Sequence, residues 1–309
     1  MMGLFSRRKG ASIALAPDGP YRATDTITAT VTVDAALDRV SAASVHLGYR
    51  NGFRYRWAGR TDAALNHDNN SLLLMGQVGT DYGSEKDTEE WVPVLAEQLP
   101  VVDGTLAAGQ HRVRLRLPSW SPGSSKDVVR WEIRLAVERS GRDLATAVPL
   151  TVLIGPPDPL PASADLPLIQ KTRALASTLD FEIVTERGAY RRGDEVRGVV
   201  AVTAPETPDR TATIAGWFQR IQESHPVEKT PGSATDSYVR PMVTFAKDVR
   251  FIGGQRQEFP FAMTLPKDID PTTEAVHSSI NWFVQIKVEF SGATGAIERA
   301  ERGIVVYTG

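Results

Sequence analysis

Hydrophobic and polar positions alternate with unusual regularity in two stretches of the chain. In Trp282-Phe283-Val284-Gln285-Ile286-Lys287-Val288-Glu289-Phe290, the residues Trp282, Val284, Ile286, Val288 and Phe290 fall on one side and Gln285, Lys287 and Glu289 on the other. A period of two is that of an extended strand with one buried and one solvated face. Trp131-Glu132-Ile133-Arg134-Leu135-Ala136-Val137 has the same tryptophan start and the same alternation. A turn glycine follows each copy, Gly141 and Gly292, and a strand ending at a proline precedes each: Val113, Leu115, Leu117, Pro118 and Phe261, Met263, Leu265, Pro266. A second match runs from Tyr21 to Val33 and, without a gap, from Tyr190 to Val202; it continues to Val45 with Ile214 and Tyr49 with Phe218. With no long amphipathic helix in view, these repeats predict an all-β chain of two antiparallel β-sandwich domains in tandem. The expected boundaries are residues 1–153, a proline-rich linker at 154–178, and residues 179–309.

Between the repeats the pattern predicts further elements. Ile13 to Ala16 reads as a first strand, and Ser44 to Trp57 as a long strand with a bulge at Asn51-Gly52, in preference to a tight hairpin. Residues 59–102 read as a long polar loop with a strand near Leu72, and Ser224 to Val239 as a loop rich in Pro, Gly, Thr and Ser. Gly155-Pro156-Pro157-Asp158-Pro159-Leu160-Pro161 reads as a stiff extended linker. Leu168 to Leu175 is expected to form a helical turn or two, and Ile304 to Tyr307 the last strand.

Composition narrows the function classes. A chain of 309 residues, 41% hydrophobic, is long enough for two packed cores. Its formal net charge of -2 offers no reason to expect nucleic acid. The absence of cysteine removes disulfides and thiol chemistry and fits a reducing compartment. The apolar run Ala11 to Ala16 is too short for the core of a secretory signal, and no stretch has the length of a membrane span. The expectation is a cytoplasmic protein, with peripheral attachment at the membrane where a basic face meets anionic headgroups.

Candidate chemistry is sparse. The chain carries no nucleophile elbow, phosphate-binding loop, dinucleotide fingerprint or zinc-protease motif. His46, His67, His111, His225 and His277 are scattered without metal-ligand spacing, so no metal and no cofactor is expected. Asn66 to Asn70 with Asp62 lacks the ordering of a calcium loop and reads as a solvated loop. Residues 81–103 hold seven acidic residues against Lys86 alone. They read as a solvated loop, or as a lid or acidic partner surface anchored by Trp91.

The basic signal is sharper. Arg112, Arg114 and Arg116 alternate with Val113, Leu115 and Leu117, so three guanidinium groups share one face; Arg54 and Arg56 alternate with Tyr55 and Trp57. With Arg130 and Arg134 these form a candidate interaction surface, a single arginine-studded face if the strands are neighbours. Two readings stand: an ordinary face held by cross-strand pairs with glutamates, or a docking surface for phosphates, lipid headgroups or an acidic protein segment.

Three stretches carry a resemblance to a known family: Tyr190-Arg191-Arg192-Gly193-Asp194-Glu195-Val196-Arg197-Gly198, Phe259-Pro260-Phe261-Ala262-Met263-Thr264-Leu265-Pro266, and Ser279-Ile280-Asn281-Trp282-Phe283-Val284-Gln285-Ile286-Lys287-Val288. In this order they resemble an arrestin C-domain. The first half resembles the N-domain more loosely, with Ala23-Thr24-Asp25 in place of the Gly-Asp turn and no Phe-Pro-Phe. Within the arrestin fold the chain is most similar to the bacterial sporulation-control arrestin-like proteins. The resemblance implies two arrestin-like sandwiches serving as a non-enzymatic adaptor or scaffold in sporulation, cell-division or stress control. Its partners would be proteins or an anionic membrane surface. The linker prolines form no Pro-Pro-x-Tyr motif, so receptor regulation of the animal kind is not implied. Two alternatives remain open. One is a carbohydrate-binding or chaperone-like pair of sandwiches, with Trp57, Trp91, Trp120 and Trp217 as candidate exposed aromatics. The other is an enzyme whose site is assembled from distant residues.

Overall fold

The structure is a computed structural model that describes residues 10–58, 82–172, 179–225, 233–292 and 296–309; for 55–58, 82–86, 171–172 and 233–240 it describes the backbone alone. The strand expected near Leu72 and the Asn66 to Asn70 loop lie outside the described residues. In chain order the strands are β1 (Ala11–Ala16), β2 (Tyr21–Arg22), β3 (Thr26–Val33), β4 (Val40–Ala58), β5 (Tyr82–Gln98), β6 (Val101–Val102) and β7 (Thr105–Leu106). They continue as β8 (Gly109–Arg116), β9 (Val129–Arg139), β10 (Leu144–Pro149), β11 (Val152–Leu153), β12 (Leu168–Thr172), β13 (Asp180–Thr185) and β14 (Ala189–Arg191). The last are β15 (Glu195–Thr203), β16 (Ala212–Ser224), β17 (Ser233–Val249), β18 (Arg256–Thr264), β19 (Thr273–Glu274), β20 (Ser278–Phe290) and β21 (Ile297–Tyr307). The described residues form no α-helix, only a 3-10 turn at Ser163–Asp165. The fold is all-β, and among the described residues no helix is long and apolar enough to cross a membrane.

Two compact units form. The first is Met1–Ile154 with Ser224–Ser233 and Thr273–Ser279; the second is Gly155–Glu223, Ala234–Thr272 and Ile280–Gly309. In the first, a three-stranded antiparallel sheet has the order β1-β3-β8, and a four-stranded sheet the order β10-β9-β4-β5. In the second, β13-β15-β18 forms the small sheet and β12-β21-β20-β16-β17 the large one. The order is therefore repeated, with β12 added at one edge.

The repeat extends to single hydrogen bonds. Tyr21 and Tyr190 are buried and sit on short strands that pair parallel with a late strand of their own unit, Tyr21 opposite Val152 and Tyr190 opposite Val306. In the turn that follows, the Asp25 carboxylate accepts the Arg22 N–H at 2.7 Å, and the Asp194 carboxylate accepts the Arg191 N–H at 3.0 Å. This aspartate-closed turn needs a residue with positive φ. Gly193 supplies it at 88°, and Thr24 at 71°, a conformation that glycine adopts without steric cost and threonine does not. Each turn then accepts the end of the edge strand: Leu117 N–H donates to Asp25 O and Leu265 N–H to Asp194 O, both at 2.9 Å.

The two tryptophans occupy equivalent strands, β9 and β20, each about 1% exposed. Burying an indole requires a partner for its N–H. Trp131 donates to Pro122 O at 2.8 Å and Trp282 to Asp270 O at 3.0 Å. Tyr49 lies opposite Trp131 with ring centroids 5.0 Å apart.

Several expectations are corrected. Strand β4 runs through Asn51-Gly52, and its irregularities fall at Val40/Ala42, Leu47/Gly48 and Arg56/Ala58 instead. Asn51 is fully buried within the first unit, where its amide donates to Val128 O and Ser278 Oγ and accepts the His277 N–H, so it closes no turn of its own. The acidic run is not a loop: Tyr82–Gln98 is a strand, because its carboxylates meet arginines across the sheet. Leu168 begins a strand, not a helical turn, since β12 finds an open edge on β21. Strand β17 begins at Ser233, inside the expected 224–239 loop. The expected linker belongs to the second unit from Gly155 on, and the Arg302 guanidinium holds it by donating to Leu166 O at 2.6 Å while also donating to Ile183 O at 2.8 Å.

Replacing either buried tryptophan by alanine removes a large apolar surface and strands a backbone carbonyl. Trp131→Ala and Trp282→Ala are each expected to destabilise their unit by about 3–5 kcal/mol, read as a shift in the denaturant midpoint of that unit's unfolding.

Candidate functional site

The seven arginines singled out in the sequence fall on two different sheets. Arg112, Arg114 and Arg116 lie on β8, whose described partner is β3; Arg54, Arg56, Arg130 and Arg134 lie on β4 and β9 of the larger sheet. The expected single face is therefore not formed: β4 is flanked by β9 and β5, which leaves β8 no place beside it. The Arg56 side chain lies outside the described residues.

The arginines of the larger sheet are held by acids. Arg54 pairs with Asp87 at 2.7 Å, Arg50 with Glu132 at 3.0 Å, Arg134 with Glu132, and Arg130 with Glu89. The hydrogen bond from Arg54 holds the Asp87 carboxyl below its usual range. The stabilisation from that pair is present at neutral pH and lost as pH falls through the lowered value; because Asp87 is largely exposed, it is small. For this sheet the reading of an ordinary face with cross-strand pairs holds.

The β8 row differs. Its cross-strand neighbours are threonines: Arg116 opposite Thr26, Arg114 opposite Thr28, Arg112 opposite Thr30. Ile27, Ala29, Val31 and Leu115 point inward and are fully buried, so the arginines and threonines share the solvent face, with Ala14 and Ala16 of β1 alongside. All three arginines are exposed. Arg116 donates to Thr24 O at 3.3 Å, and none of the described ion pairs involves the row. Successive side chains on one face of a strand stand about 6.8 Å apart. The result is a regular row of three cations that no acid among the described residues pairs with.

A second feature lies on the outer face of the larger sheet. Trp91 of β5 stands opposite Arg50 and spreads across Gly48, where an added Cβ would lie 2.6 Å from the indole. The Arg134 guanidinium covers the ring at 3.4 Å from its centroid. Beside this stack, His46, Arg50, Ala136, Ala145 and Ala147 line an open recess of about 560 Å³, with His46 Nε2 2.7 Å from Ser44 Oγ. In the second unit buried Trp217 stands at the position equivalent to Gly48, with the Arg299 guanidinium 5.7 Å from its ring centroid. The glycine at 48 against the tryptophan at 217 in the sequence repeat is the signal that marks the recess. Of the candidate exposed aromatics, Trp217 is buried, Trp91 is stacked, Trp120 is 61% exposed, and the Trp57 side chain lies outside the described residues.

Among the described residues no three His, Asp or Glu side chains gather in a metal-sized cluster. No protein-family model matches the chain, and no curated protein matches its sequence.

Gly48→Ala is expected to expel Trp91 from its seat, because the new methyl would also meet Val92 O at 2.4 Å. The expected cost is about 1–3 kcal/mol, accompanied by a red shift of tryptophan emission as Trp91 enters water.

Proposed function

We propose that the chain is an arrestin-like tandem β-sandwich adaptor that acts by binding, not by catalysis, and that it docks an acidic segment of a protein partner on the arginine row of β8. The observation that carries this reading is the contrast between the two basic faces. Arg50, Arg54, Arg130 and Arg134 are neutralised within the unit, whereas Arg112, Arg114 and Arg116 face threonines. The repeated strand order of the two units and the three sequence stretches quoted above support the arrestin-like assignment. The absence of a recognisable catalytic motif in the sequence supports a binding role.

Magnitudes set the form of the interaction. An exposed ion pair contributes about 0–1 kcal/mol, so a single arginine does not hold a partner. Three that converge on carboxylates, with hydrogen bonds between the partners, reach micromolar affinity. Binding of this kind weakens with salt, because exposed charges are screened over about 8–10 Å at physiological ionic strength.

The test is the triple variant R112E/R114E/R116E. Its side chains face solvent, so its melting temperature is expected to stay near that of the wild type. The wild type is expected to bind a short poly-glutamate peptide in a salt-sensitive manner and the variant not to bind it. A folded variant that binds poly-glutamate as well as the wild type contradicts the proposal. So does a wild type that ignores the peptide and binds phosphatidylserine vesicles, which would make the row a membrane surface.

A further inference from the structure

The backbone of β8 points to how such a partner is held. In an antiparallel pair, residues alternate between those that exchange N–H and C=O with the partner strand and those that direct both away from it. Leu117 N–H donates to Asp25 O, and Asp25 continues the register in which Thr26 faces Arg116. Leu117, Leu115 and Val113 therefore turn their backbone groups toward β3. Arg116, Arg114 and Arg112 turn theirs toward the other edge, which no described strand pairs with. The same three residues thus present a guanidinium on the solvent face and an N–H and C=O at the edge.

The second unit supplies an internal comparison. Its edge strand β18 is equivalent to β8, with Thr264 in the place of Arg116 and Leu265 N–H donating to Asp194 O as Leu117 does to Asp25. Pro260 stands in the place of Arg112, where it removes an outward N–H, and Arg256 is paired with Glu182 and Glu258. Prolines and self-paired charges on an edge strand are the usual protection against strand addition. Strand β8 has neither. It also leaves Val113, on its inner side, only half-buried, although the inward residues of β3 are fully buried. An added strand would cover that flank.

Resting on the adaptor reading above, we propose that the acidic segment binds β8 by strand addition. It would run extended along the edge, exchange backbone hydrogen bonds with Arg112, Arg114 and Arg116, and place carboxylates at every second position opposite the guanidinium groups. Opposite charges directly across a strand pair are favourable and like charges unfavourable, so a second β8 is disfavoured as the occupant. Main-chain pairing then sets the affinity and the alternate side chains the specificity.

The probe is a fluorescent seven-residue peptide alternating aspartate and valine, compared with one of the same composition whose aspartates are contiguous. The alternating peptide is expected to bind at least about tenfold more tightly. Methylating its aspartate backbone nitrogens, which face β8, is expected to abolish binding; methylating the valine nitrogens is not. On the protein side, Arg112→Gln removes the charge, whereas Arg112→Pro removes both the charge and the outward N–H and copies Pro260. Circular dichroism and melting confirm that both variants fold, and Arg112→Pro is expected to bind a further threefold to tenfold more weakly, about one hydrogen bond. Equal binding of the two peptide arrangements, with no effect of methylation, overturns strand addition while leaving salt-sensitive docking on the arginine row intact. Failure of both peptides and of poly-glutamate overturns the adaptor reading itself.

Discussion

Everything attributed to β8 depends on its register with β3. Side chains alternate strictly across a strand, so a slip of one residue would bury Arg112, Arg114 and Arg116 and expose Val113 and Leu115. Two features pin the register. Ile27, Ala29 and Val31 of β3 and Leu115 of β8 are fully buried on one side, so a slip would place charge in the core. The Leu117 N–H to Asp25 O bond fixes the end of the pair, at a turn already closed by the Asp25 carboxylate. The buried face thus determines where three cations stand on the other.

The same device occurs twice in the chain, and the comparison between copies is what separates scaffold from function. The tyrosine strand, the aspartate-closed turn, the carbonyl that receives the edge strand and the buried tryptophan with its satisfied indole N–H are common to both units. These are requirements of the fold. The divergent positions lie on the surfaces. Arg112 faces Pro260 in the comparison, and Gly48, which seats Trp91, faces Trp217. In each case the second unit fills a surface that the described residues of the first do not.

Much of the fold was legible in the sequence because burial imposes a period of two that survives in the letters. The Trp131 and Trp282 strands, the Tyr21 and Tyr190 repeat and the continuous strand through Asn51-Gly52 all follow from it. The acidic stretch 82–98 reads as a loop because its carboxylates look solvated until their partners are known; Asp87 and Glu89 meet Arg54 and Arg130 from strands distant in sequence. Leu168 reads as helical because nothing local shows that β21 leaves an edge for it. The seven arginines were found, but which strands adjoin is a property of topology, so alternation alone could not separate the β8 row from the paired arginines of the larger sheet. The direction of the backbone groups on β8 was available only from the observed register.

Amide hydrogen exchange on the protein alone tests that register and the openness of the edge most directly. The account predicts alternation along β8: the N–H groups of Arg112, Arg114 and Arg116 exchange rapidly, and those of Val113, Leu115 and Leu117 are protected by bonds to β3 and its turn. Uniform protection from 112 to 117 would show that the edge is already occupied, and the inverse alternation would show that the arginines face inward along the ladder. Either result would contradict the account.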